Sequence, residues 1–416
     1  MRNVQLRIRA VIPTPRTARL VLVSANGRYI GALPPVAVTT PWWQDIAPVV
    51  QAAREQYGVE VVVLRLLEGQ LPQPPGGEVT YLAQADDSIE SKSLSREPWD
   101  GKLDDHPLRH AFARPGGPAA DLAWAQSVLE RRGIRANAPA EQIRTWNLSS
   151  VWRLPTGDAY AWLKVVPPFM VPEGQLLVEL SDAPVATVLG HDGGRCLLAE
   201  VPGTDLYDAT SNQLIDMVSL LVRLQLSRVG RVERLLALGL PDWRGDALIR
   251  DISETLRRTS HELTNDDVQS LSMFVSDLPR RFAAIRACGV PDTLVHGDFH
   301  PGNFRGDDTA LTLLDWGDSG VGHPLLDQPA FLERVPPPHL DAVRDHWMQC
   351  WRAAYPSADP LSAARLLAPI AEARRAAVFR RFLDRIEPAE HPYHRADPAD
   401  WLQRTAALLR DGAEAS

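Results

Sequence analysis

The sequence predicts an α+β protein: a small α/β region, then a larger body with a β-rich front and a helical back. Three features carry this. Strand-like runs surround one helical pattern in residues 1–95; an aperiodic stretch broken by Pro and Gly covers 96–118; beyond it a hairpin pattern at 119–201 gives way to a mainly helical 202–416. At 416 residues the chain exceeds one usual core, and about 150 residues per domain suggests two or three.

In chain order, VQLRIRAVI (4–12) and ARLVLVSA (18–25) read as strands. The helix within WWQDIAPVVQAAREQYG is marked by Ile46, Val49, Val50 and Ala53 at helical spacing, with Gly58 as its stop signal. VEVVVLRLLE and VTYLAQA are further strands, separated by the loop QLPQPPGGE (70–78). After the linker, AADLAWAQSVLERRG is a helix, and QIRTWNLSSVWRL and AYAWLKVV flank the turn PTGD as a hairpin. A helix near PEGQLLVELS and a strand pair in VATVLGHDGGRCLLAEV follow. The helical remainder starts near NQLIDMVSLLVRLQ.

Composition bounds the function. Hydrophobic residues are 45% and charged residues 23%, the balance of a globular protein. No apolar run approaches the roughly 20 residues that span a bilayer, and the first residues lack the apolar core of a secretory signal, so a cytoplasmic location is expected. Cys196, Cys288 and Cys350 are odd in number and far apart, which suits neither a disulfide framework nor a Cys-x-x-Cys metal site. A net charge of −8 gives no electrostatic footprint for nucleic acid.

One stretch of the helical back breaks its pattern. In LVHGDFHPGNFRGDDTALTLLDWGDSG (294–320), two short apolar runs each end in Asp, and His296, Asp298, His300, Asn303 and Asp315 gather between them. Strands at Leu294–Val295 and Leu311–Leu314 are expected to bring Asp298 and Asp315 close, with HPGN as a tight loop. Phosphoryl transfer needs a carboxylate to orient and deprotonate the attacking hydroxyl, and oxygen ligands for Mg²⁺; one Asp, an Asn and a second Asp supply these. The competing reading is a polar turn between core strands. A His296/His300 metal pair needs a helix, which Gly297, Pro301 and Gly302 disfavour.

The stretch resembles the catalytic and metal-binding segment of the aminoglycoside phosphotransferase and choline kinase superfamily, relatives of protein kinases. His-Gly-Asp, four residues, Asn, and a later hydrophobic-Asp-Trp element are all present, Trp316 included. The resemblance implies a protein-kinase-like fold, ATP as co-substrate (with GTP open), and Mg²⁺. It makes Asp298 the catalytic base, Asn303 and Asp315 the Mg²⁺ ligands, His296 a brace, and Asp327 a buttress of the catalytic loop.

It also implies an ATP-binding front. Asn147–Ser150, with the Ser149 and Ser150 hydroxyls, is placed to cover phosphates, and Lys164 to contact them and pair with Glu173, Glu179 being the competitor. Glu200 and Val201 stand where the family presents backbone to adenine. Two departures stand out: the covering loop has no glycine, and strand alternation puts Trp162 on the side of Lys164, where it stacks on the base or obstructs it. Acidic candidates for the acceptor site are Asp318, Glu333, Glu372, Asp384 and Glu387.

Residues 1–95 distantly resemble a Nudix fold. Anchored on Gly58 and Val59, the chain keeps Glu55 but has Gln56, Ala52, Gln51 and Trp43 where the Nudix box needs charged groups, so no pyrophosphate hydrolysis is expected there. A docking role, or an unrelated small domain, fits as well. For the whole chain the leading expectation is a small-molecule kinase acting on a hydroxyl group; the alternatives are a kinase-like protein that binds without transfer, and a metal-dependent hydrolase.

Overall fold

The computed structural model describes residues 16–69, 77–89, 94–95, 99–101, 103–170, 172–307 and 309–414. The strand expected at 4–12 and most of the loop at 70–78 lie outside them. The chain forms two compact units. One holds the described residues up to Gly174, with Val188–Glu200 and Leu383–Arg395; the other holds Gln175–Thr187, Val201–Phe382 and the chain from Ala396.

The first unit opens with β1 (Arg16–Val23), β2 (Tyr29–Val38), helix α1 (Ala47–Tyr57), β3 (Val62–Gly69) and β4 (Gly77–Gln84), in a sheet of order β2-β1-β4-β3. β1 runs parallel to β4, and the other neighbours are antiparallel. Gly58 ends α1 at φ 66°, its N–H donating to the Arg54 carbonyl and the Val59 N–H to that of Ala53, the stop expected of a glycine in the left-handed region. β2 was not expected, because Pro34 and Pro35 break its pattern. Both are exposed on an edge strand, where a missing N–H disrupts least.

Helix α2 (Gly117–Arg131) then leads to β5 (Glu141–Trp146), β6 (Ser149–Thr156), β7 (Ala159–Val165), helix α3 (Pro172–Glu179, its residues from Gln175 in the second unit), β8 (Val188–Asp192) and β9 (Arg195–Ala199). The five strands form an antiparallel sheet of order β5-β6-β7-β9-β8 over Phe112, Leu129, Trp152, Leu163 and Leu197. The run read as one strand at 142–154 is two, divided at Asn147 and Leu148. The front region is joined to this sheet through backbone: Ile46 N–H donates to Ile143 (3.2 Å), Thr145 N–H to Gln44 (3.0 Å), and the Gln142 amide brackets Val63.

Leu383–Arg395 completes this unit. Tyr393 stacks on Trp43 at 4.2 Å, and the buried Glu390 carboxylate accepts the Asn147 N–H at 3.1 Å. Burial pushes Glu390 up to about 7 from an ordinary 4.5, with Asn147 opposing. Folding therefore takes up a proton at this group. The stability it contributes is complete below pH 4.5 and is lost as pH rises through about 7. Urea unfolding at about pH 5 and about pH 8 is expected to show a loss with rising pH that shrinks in Glu390→Gln; an equal loss in both proteins removes the assignment.

The second unit is mainly helical: α4 (Ser211–Arg228), α5 (Val232–Ala237), α6 (Gly245–Thr259), α7 (Asn265–Ala287), α8 (Gln328–Leu332), α9 (Leu340–Ala354), α10 (Pro360–Leu383, its last residue in the first unit) and α11 (Asp397–Glu414). α4 starts with a capping box between Thr210 and Gln213. Trp316, Trp347 and Trp351 fill the core, and Phe299 stacks on Phe331 at 4.8 Å. Two small sheets hold the polar stretch: β10 (Thr204–Asp205), β12 (Phe304–Gly306) and β13 (Leu311–Leu313) in order β10-β12-β13, and β11 (Thr293–Val295) with β14 (Gly320–Gly322). Among the described residues no helix is long and apolar enough to cross a membrane.

Candidate functional site

The strands expected at 294–295 and 311–314 form, but each pairs with a different partner: β11 with β14, and β13 with β12. The two loops are joined instead by single bonds. Leu314 N–H donates to the Asn303 carbonyl (2.8 Å), and His296 Nε2 lies 3.0 Å from the Leu314 carbonyl. His296 Nδ1 accepts the Asp298 N–H at 3.3 Å, so Nε2 carries the proton and donates. The buried imidazole thus ties the Asp298 loop to the residue before Asp315, with Trp316 packed at 4.6 Å.

Gly297 turns the chain between His296 and Asp298 at φ 86°. A Cβ there would lie 1.8 Å from the Asp318 carbonyl oxygen, so glycine is required. Asp327, 1% exposed, receives this turn: its carboxylate accepts the N–H of His296 (2.9 Å) and of Gly297 (2.8 Å) and the Gln225 amide (3.1 Å). Burial pushes the Asp327 carboxyl above its ordinary pKa, and the His296 and Gly297 N–H groups oppose the rise.

Asp298 is partly exposed. Its Oδ2 accepts the Asn303 amide at 3.2 Å and lies 3.4 Å from Nε2 of the buried His300. Asn303 also donates to the Asp298 carbonyl (2.8 Å), so its amide nitrogen is committed to Asp298 and its side-chain oxygen is turned away. Asp315 sits at φ 62°, the one non-glycine residue at positive φ among the described residues. Such a conformation costs about 1 kcal/mol or more and concentrates at functional turns. Asp318, three residues on, is pushed up to about 6 by burial first and then by the carboxylates of Asp298 and Asp315. The fields of both acids therefore converge on it.

The oxygen donors Asn303 and Asp315 suit Mg²⁺, which takes one or two protein ligands beside substrate phosphates. Among the described residues there is no group of three or more His, Cys, Asp or Glu placed to hold a metal, as a self-sufficient protein cage would require. Arg374 was not foreseen. Its buried guanidinium donates to the Gly297 carbonyl (3.0 Å) and lies 4.2 Å over the Trp243 ring, and burial lowers it to about 10. His300 was considered only as half of a His296/His300 metal pair, which Gly297, Pro301 and Gly302 disfavour. Glu333 and Glu372, expected among the acceptor acids, are both paired with Arg375.

In the first unit, Lys164 on β7 meets Glu173 in the first turn of α3 at 2.7 Å. The competitor Glu179 pairs with Arg234 in the second unit. The Ser149 and Ser150 hydroxyls face inward, each accepting an indole N–H at 3.0 Å, from Trp146 and Trp152. Glu200 N–H donates to the Tyr160 carbonyl (3.1 Å), while its carboxylate accepts the Trp162 indole. In the second unit the Val201 carbonyl accepts Arg305 Nε at 2.7 Å. Glu387, another acceptor candidate, is paired with Arg109 at 2.7 Å.

A five-stranded sheet carrying a Lys–Glu pair, and a helical unit carrying the Asp298, Asn303 and Asp315 loops, make this a kinase-like α+β fold. A sequence profile of the phosphotransferase enzyme family (APH) matches residues 148–361, just over half of the chain, and the chain belongs to that family. Its structure is similar to that of choline kinase LicA from Streptococcus pneumoniae, with 15% identity over 70% of this chain and 99% of that one, at a TM-score of 0.51. It also matches macrolide 2'-phosphotransferase MphH from Brachybacterium faecium, with 16% identity, 68% and 97% coverage and a TM-score of 0.43. A third match is a choline/ethanolamine kinase family protein from Mesorhizobium loti, with 15% identity, 70% and 95% coverage and a TM-score of 0.46. No curated protein sequence matches the chain.

Proposed function

We propose that the protein is a cytoplasmic, ATP-dependent small-molecule kinase that transfers the γ-phosphate to a hydroxyl of an aminoglycoside or other metabolite-type acceptor. The observation that carries this is the Asp298 carboxylate, held by the Asn303 amide and beside His300 on a loop braced by His296 and Asp327. In this reading Asp298 accepts the proton as the acceptor hydroxyl attacks in line, and Lys164, steadied by Glu173, holds the α- and β-phosphates. Bound Mg²⁺, on Asn303 and Asp315, supplies charge neutralisation at the phosphates. Residues 119–201 and 202–416 are the two lobes of the kinase, 96–118 the linker, and 1–95 a domain without hydrolase activity of its own.

The first experiment is calorimetry of ATP and GTP with and without Mg²⁺. Wild type is expected to bind ATP with Mg²⁺, and Asp315→Ala to lose the Mg²⁺-dependent part; absence of nucleotide binding in wild type overturns the proposal. A second reading, a kinase-like protein that binds without transfer, draws on the inward Ser149 and Ser150 hydroxyls and on the Trp162 indole held by Glu200. Nucleotide binding without ADP formation across a panel of hydroxylated metabolites and antibiotics favours it.

A further inference from the structure

The β5–β6 turn (Asn147 and Leu148), which the family resemblance places over the phosphates, has no glycine, and its shape is set from outside its own sequence. Asn147 is gripped at both ends: its N–H donates to Glu390 at 3.1 Å, and its side-chain oxygen accepts the Glu387 N–H at 3.1 Å. Glu387 in turn holds Arg109 of the linker through two hydrogen bonds, from Nε at 3.1 Å and Nη2 at 2.7 Å, and both side chains are nearly buried. Fork-on-carboxylate pairing of this kind fixes direction as well as distance.

The front region anchors the same segment. Trp43 is 3% exposed and stacks on Tyr393, which is 5% exposed, while its edge meets Trp146, the residue before Asn147, at 6.3 Å. Gly69, at the end of β3, leaves room for the Tyr393 hydroxyl; a Cβ there would lie 1.7 Å from that oxygen. Parts of the chain about 240 residues apart therefore converge on one two-residue turn. Glycine-rich loops let backbone approach phosphates by freeing φ; a turn without glycine must be held in its productive shape by its neighbours.

We propose that Leu383–Arg395, clamped by Trp43 and Arg109, is the positioning element of the nucleotide-covering turn, with Glu390 as its positioning residue. This gives the front region a role in nucleotide binding without chemistry of its own. The inference rests on the kinase reading above.

The test compares Mg²⁺·ATP and adenosine binding to the full chain by calorimetry, in wild type, Glu390→Ala, Glu390→Gln and Trp43→Ala. Adenosine has no phosphates and reports the base site alone. Glu390→Ala and Trp43→Ala are expected to weaken ATP about tenfold, the scale of one lost buried hydrogen bond, and to leave adenosine within about twofold. Glu390→Gln keeps an acceptor for Asn147 and is expected to retain wild-type ATP affinity. Where Glu390→Ala does not fold, Glu390→Asp, one methylene too short to reach Asn147, takes its place. Unchanged or tighter ATP binding, or equal losses for ATP and adenosine, overturns the proposal. A wild type that binds no ATP overturns the kinase reading instead, which keeps the two failures apart.

Discussion

Asp298→Ala is expected to lower turnover by roughly 10²- to 10⁴-fold, the range of a lost general base, while ATP affinity and the thermal midpoint stay near wild type. The separation follows from the geometry. Asn303 makes its shorter bond, 2.8 Å, to the Asp298 backbone carbonyl, and the loop is anchored by Asp327 through the N–H groups of His296 and Gly297. None of these contacts uses the Asp298 carboxylate, so its removal subtracts chemistry and leaves the scaffold. ADP release is the readout, measured with an acceptor identified from the hydroxylated panel and with water alone. Unchanged turnover in the variant removes Asp298 as the base, and a large loss of ATP affinity shows that the loop has moved.

Legibility in the sequence followed the range of each interaction only in part. The Lys164–Glu173 pair spans nine residues and was expected through the family resemblance, whereas the Asp298–Asn303 bond, only five residues apart, was not expected, because Asn303 was assigned to Mg²⁺. Helix α1 was readable from Ile46, Val49 and Ala53, and its end from Gly58. β12 (FRG) and β14 (GVG) escaped because, unlike the equally short β11 (TLV) and β13 (LTL), they carry no apolar run to mark them. Arg374 escaped for another reason: it reaches Gly297 across 77 residues, from a helix whose exposed faces are also rich in arginine. The Glu390 contact with Asn147, 243 residues apart, had no local signal at all. Ser149 and Ser150 show the converse: their type suited phosphate, but the sequence could not reveal that neighbouring tryptophans turn both hydroxyls inward.

Asp327→Ala is expected to cost stability first, by about 3 kcal/mol or more in urea unfolding, with turnover falling in consequence. The carboxylate is buried and serves three donors, so alanine leaves the His296 and Gly297 N–H groups and the Gln225 amide without their acceptor in a place water does not reach. It also removes the negative charge that most favours the buried Arg374 guanidinium, which holds the Gly297 carbonyl from the other side of the turn. Gln225→Ala removes one donor and leaves the two backbone bonds intact, so it is expected to cost about 1 kcal/mol. The order of the two variants is the test. If Asp327→Ala unfolds at the same urea concentration as wild type, the buttress is not what holds the catalytic loop, and the bonds from His296 to Leu314, Arg374 to Gly297 and Asn303 to Asp298 carry that load.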